Sequence, residues 1–228
     1  MSNSGPSSSS AIVKAGLRSI AASIPGLASL GQAWNEYDSY KTGERISELF
    51  DDVQEELNSL RDKQQIHEDL INASRDEIPS LIEITVERVR KEFSREKRRL
   101  YAQLLSRLVN NGNTVPYDEK ASLLHEFDVL TVEDVRVLSL FPRNRGIHVS
   151  ELDHASLNFS GTPQQKLGSL IVILAKLESR GLIGATSTGR GVDVTSTVGD
   201  PETWENAWKN RVLGLLPAGE RLRDLLEE

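Results

Sequence analysis

Residues 163–196, PQQKLGSLIVILAKLESRGLIGATSTGRGVDVTS, decide how the last third of this 228-residue chain is built. Pro163 lacks an amide hydrogen and carries a fixed φ, which suits the first turn of a helix. Leu167, Leu170, Ile171, Leu174 and Leu177 then recur in steps of three and four, predicting a helix with a buried stripe up to Arg180. Gly181 stands where a left-handed helix terminus is expected. Leu182–Thr186 and Val192–Ser196 read as two strands, joined by Ser187–Gly191 as a Gly-rich hairpin turn.

Upstream, Thr131 and Asp134 have the spacing of a helix N-terminal box, and Val132, Val135, Leu138 and Leu140 predict a helix ending before Pro142. Gly146–Val149 suits a short strand. Ser150 can cap a helix at Glu151–Leu157, and Asn158–Thr162 supply a turn. The order is helix, short strand, helix, turn, long helix, hairpin. Leu174–Ile183 (LAKLESRGLI) resembles the end of a winged-helix recognition helix entering its wing. Leu216–Leu222 (LPAGERL) resembles the start of the helix that often follows the wing. Over roughly Leu130 to Leu226 the chain thus resembles the winged helix-turn-helix superfamily.

Further upstream lies charged helix. Ile46, Leu49, Phe50, Val53, Leu57 and Leu60 form a seam that weakens beyond Gln64 and resumes at Ile66, Leu70 and Ile71. Ile78-Pro79 breaks it, and a second helix is predicted from Pro79 to Val109 with Ile82, Val86, Val89, Phe93, Leu100, Leu104 and Leu108 on its apolar side. A third covers Asp118–Phe127. Glu44–Glu77 holds eleven acids and four bases, whereas Leu81–Leu108 holds eight bases and four acids. An antiparallel hairpin or small bundle with charges paired across its seam accounts for that asymmetry.

Residues Ser2–Ser10 (SNSGPSSSS) are too polar to order themselves and read as a tail. In 11–34, Ile12, Val13, Leu17, Ile20, Ile24, Leu27, Leu30 and Trp34 recur at helical spacing, but Lys14 and Arg18 fall inside and Pro25-Gly26 divides the run. Two short amphipathic helices packed on the body are expected, with interfacial membrane contact as the alternative to a spanning helix.

The expected architecture is mainly α: a tail at 1–10, short amphipathic helices at 11–41, a helical hairpin or bundle at 42–128, and a winged helix-turn-helix domain with a small β-hairpin and C-terminal helices at 129–228. Absence of cysteine excludes disulfides and thiolate metal sites and suits a reducing cytoplasm. A net charge of -7 argues against a chain held mainly by nucleic-acid phosphates, without excluding a local basic patch.

For DNA binding, the first half of the 163–180 helix would enter the major groove. Its candidates are Thr162, Gln164, Gln165, Lys166 and Ser169, with Arg190 at the wing tip. That helix has one base in its first two turns, fewer than a duplex reader normally brings. Arg88, Lys91, Arg95 and Arg98 follow steps of three, four and three. On one helix they would make a stripe for phosphates or anionic lipid, unless the acidic helix neutralises them. Trp204 and Trp208 share a helix face and either pack on the core or anchor a partner.

No catalytic constellation emerges, and an enzyme is not expected. His67, His125, His148 and His154 show no metal-ligand spacing, Asp153-His154 is adjacent rather than facing, and Gly189-Arg190-Gly191 lacks a phosphate loop's context. No cofactor, metal or small-molecule substrate is inferred. The leading expectation is a regulatory or interaction protein, with the helical hairpin serving self-association or a protein partner and the winged helix serving as a docking module. A DNA-binding regulator is the first alternative. The whole arrangement also resembles bacterial abortive-infection alpha-type proteins, which have a helical N-terminal region, a Pro-started middle helix and a closing Gly-containing turn and helix. That resemblance implies a phage-defence factor, with 11–34 as the segment meeting membrane.

Overall fold

The computed structural model describes residues 40–63, 77–111, 115–152, 157, 159–186 and 207–226. The protein is mainly helical with one small three-stranded antiparallel sheet. It divides into two compact units, residues 1–128 and 129–228.

The first unit contains α1 (Tyr40–Asp62), α2 (Ile78–Lys91), α3 (Arg95–Asn110) and α4 (Tyr117–Asp128). Ile46, Leu49, Phe50, Val53, Leu57 and Leu60 are buried along α1, as their spacing requires. They pack chiefly on α3, with α2 alongside. Tyr101, Leu104, Leu105 and Leu108 come from α3, and α4 lays Leu123, Leu124 and Phe127 against α2. Lys120 of α4 is wholly buried, its Nζ 2.7 Å from Glu77 Oε2.

The single helix expected from Pro79 to Val109 is interrupted at 92–94. Glu92 is extended (φ -83°, ψ 123°), and the Ser94 side chain caps α3 by accepting from the Lys97 amide. Glu92 Oε1 in turn accepts from the Ser94 amide at 2.7 Å. Local side-chain bonds to the backbone here outcompete continuation of the helix. Phe93, expected on the apolar side, is consequently 81% exposed.

Asp128 ends α4 as a junction. Its carboxylate takes a 2.7 Å hydrogen bond from Tyr101 Oη and a 2.9 Å ion pair from Arg88, and its carbonyl accepts from Lys97 Nζ at 2.7 Å. The Tyr101 ring meets Phe127 edge-on at 4.6 Å. Burial, and then the bond to Asp128, push the Tyr101 phenol well above its ordinary value. The folded chain therefore holds this proton more tightly than the unfolded chain. Stability from this group is complete below pH ~10 and declines as pH rises through the unfolded phenol's range. Tyr101→Phe should flatten that alkaline decline, whose limiting slope for one proton is about 1.4 kcal/mol per pH unit. Urea titrations across the alkaline range check it, and equal slopes in the two proteins would refute it.

The second unit contains α5 (Val132–Ser139), β1 (Ile147–His148), a 3₁₀ turn (Val149–Glu151), α6 (Pro163–Ser179), β2 (Ile183–Ala185), β3 (Val212–Leu215) and α7 (Pro217–Leu226). The expected N-terminal box at Thr131 is present, and a second, unforeseen one opens α6. Thr131 and Asp134 cap α5 reciprocally, and Thr162 and Gln165 do the same for α6. Gly181 has φ +68°, and its amide reaches Glu178 O at 2.9 Å, closing α6 as foreseen. Of the helix expected at Glu151–Leu157, the described residues are Glu151, which closes the 3₁₀ turn, Leu152 and Leu157.

The sheet order is β1-β3-β2, with Ile147 opposite Leu213 and Ile183 opposite Leu215. The strand paired with β2 among the described residues is Val212–Leu215; the expected partner Val192–Ser196 lies outside the described residues. Leu170, Ile171, Leu174 and Leu177 of α6, Leu182, Ile183, Leu213 and Leu222 are all fully buried. Gly219 of α7 sits directly on the Leu182 carbonyl, whose oxygen also accepts from the Leu216 amide at 3.0 Å.

Candidate functional site

The face of α6 turned to solvent is built from small and uncharged residues. At 100° per residue, Gln165, Gly168, Ser169, Val172, Ala175, Lys176 and Ser179 fall within an arc of about 120° opposite the buried stripe. Gln165, Ser169, Val172, Ala175 and Ser179 are exposed, and Val172, near the middle of the arc, is 66% exposed. Lys176 is the arc's one cation, and its ammonium is paired with Asp134, a carboxylate buried under α5.

Three of the expected base-reading residues are already engaged. Thr162 Oγ1 accepts from the Gln165 amide at 3.3 Å, and Gln165 Oε1 accepts from the Thr162 amide at 2.8 Å. Ser169 Oγ donates to Gln165 O at 3.1 Å. Gln164 is exposed and Lys166 half-buried in the first turn. Arg190 lies outside the described residues. A helix with this surface presents hydrogen-bonding groups and one valine, and its cationic field is weak.

The four-residue basic stripe is not one helical face, because the break at 92–94 puts Arg88 and Lys91 on α2 and Arg95 and Arg98 on α3. Arg95 makes a bidentate contact with Asp52, at 2.8 and 3.0 Å. Arg98 is buried and meets Glu48 at 2.6 Å, while Arg107 meets Glu56 at 3.3 Å. Arg88 turns instead to Asp128. Lys91 remains exposed at the end of α2. Acidic α1 thus neutralises Arg95, Arg98 and Arg107 of α3. Its acids crowd one another: partial burial and the neighbouring Asp52 raise the Asp51 carboxyl above its ordinary range, with Arg95 opposing. The pairing across the seam was legible in the segment charges; Asp128 as a partner was not.

Trp208 is buried. The Arg211 guanidinium stacks on its ring at 4.4 Å and grips Glu178, at the end of α6, with both nitrogens. That clamp ties the approach to β3 onto α6 and leaves Trp208 a packing residue. Trp204, the Asp153-His154 pair and residues 11–34 lie outside the described residues. Among the described residues no helix is long and apolar enough to cross a membrane, and no group of three His, Asp or Glu side chains could hold a metal ion. Comparison with family models, with curated proteins and with solved structures returned no match.

Proposed function

We propose that the second unit is a winged helix that docks on another protein, and that the chain is a non-enzymatic regulatory or interaction protein. The order helix, short strand, 3₁₀ turn, long helix and two paired strands supports the fold reading. The exposed arc of α6 supports the ligand reading. It is uncharged apart from one paired lysine, and its centre is a solvent-facing valine rather than an arginine. Protein interfaces are depleted in charge at their cores, whereas duplex binders gain most of their affinity from phosphate contacts. Arg95, Arg98 and Arg107 of the first unit are taken up by acids of the same chain, which supports giving the docking role to α6.

A photo-crosslinking residue at position 172 should join this chain to a protein in the cell, and Ser169→Arg should abolish the adduct. Val172→Glu should abolish partner binding while changing stability by no more than about 0.5 kcal/mol, as expected for an exposed helical site. Duplex DNA should show no binding at low salt. Binding that weakens steeply with salt, and falls in a Gln164→Ala/Lys166→Ala variant, would establish the DNA-binding alternative instead.

A further inference from the structure

The corner between α2 and α3 is rigid, yet it holds an aromatic ring in water. Arg98 Nη1 fixes the Phe93 carbonyl at 3.0 Å, Glu92 fixes the Ser94 amide, and Arg45 Nη1 donates to Arg90 O at 2.8 Å. The Arg45 guanidinium lies over one face of Phe93, 4.4 Å from its centroid. The remainder of the ring is open, and no other large apolar side chain among the described residues is as exposed. Arg45 is the cation against the ring; exposed Lys91 lies two residues before Phe93 in the chain, and the Glu92 carboxylate between them is taken up by the Ser94 amide.

We infer that Phe93 is the docking point for this chain's own segment 20–34. Arg45 lies five residues into α1, about 7.5 Å along the helix from Tyr40, where the N-terminal chain joins. Trp34 precedes Tyr40 by six residues, so Trp34 stays within about 20 Å of that junction in any conformation. Residues 19–35 contain no charged side chain and carry Ile20, Ile24, Leu27, Leu30 and Trp34, so they meet the basic corner without repulsion. Glu36 and Asp38 follow at once, of a sign that complements Arg45. A tether this short holds the segment at an effective concentration in the millimolar range, so even a weak apolar contact is populated.

Hydrogen exchange of the full chain, followed by mass spectrometry, tests the assignment. Amides of 20–34 should exchange at least tenfold more slowly than unstructured chain. Phe93→Ser should remove most of that protection, Phe93→Leu should keep most of it, and slow exchange at 101–108 should show both variants folded. Rapid exchange of 20–34 in the wild type, or protection indifferent to Phe93→Ser, would overturn the inference. So would protection that rises with protein concentration, which points to a second copy, or that appears only with phosphatidylserine vesicles, which points to a bilayer.

Discussion

Gly219→Ala is expected to destabilise the second unit by about 3 kcal/mol or more, the upper range for overpacking a filled core. A methyl group at this position would overlap the Leu182 carbonyl oxygen, with the carbonyl carbon at 2.8 Å and Leu182 Cα at 3.2 Å. All three atoms are backbone, so no rotamer change relieves the contact. Either α7 lifts from the junction of α6 and β2, or Leu216 loses its bond to the same oxygen. Gly168, mid-way along α6, makes the informative control, because a methyl there meets nothing within 4 Å. Gly168→Ala should stabilise by about 0.5–1 kcal/mol through helix propensity. Urea unfolding monitored by tryptophan emission separates the two; effects of the same sign would show that the α7 contact is not the determinant.

Glu77→Ala is expected to cost the first unit about 3–5 kcal/mol, the penalty for stranding a buried charge. Lys120 is 0% exposed, and Glu77 supplies its carboxylate partner at 2.7 Å. Removing the acid leaves an ammonium that water does not reach. Replacing the lysine as well removes the problem, so Lys120→Met in the Glu77→Ala background should restore most of the loss. Lys120→Met alone should be far milder than Glu77→Ala. The ordering of the three proteins in urea is the measurement, and a Glu77→Ala variant as stable as the double variant would exclude the stranded charge as the cause.

Local signals in the sequence resolved much of the fold. Thr131 with Asp134 marks a helix start because the pair satisfies amides that the helix leaves unbonded, and Pro163 marks another because its ring suits a first turn; both helices begin there. Gly181 marks an end for the complementary reason. Signals that depend on partners elsewhere were less readable. Ser94 is also a cap, but it sits within an apolar periodicity that runs through Phe93, and periodicity alone favours one long helix. Val192–Ser196 alternates as a strand should, whereas Val212-Leu213-Gly214-Leu215 is too short and too interrupted to show a period; pairing with both β1 and β2 makes it the central strand. In the candidate surface, Val172 lies in the run Ile171-Val172-Ile173 and looks like core until the helix phase is known. Lys120, beside Asp118 and Glu119, looks like a solvated cation.

The position of β3 has a kinetic consequence. β1 and β2 never pair with each other, so the sheet waits for a strand separated from β2 by the 26 residues 186–211. Closing a connection of that length costs about 1.5 kcal/mol more chain entropy than closing a five-residue turn. The entropy is lost before pairing returns anything, which raises the folding barrier. Until β3 arrives, β1 and β2 lack the partner that the described sheet gives them, and their backbone groups can be met by strands from other molecules.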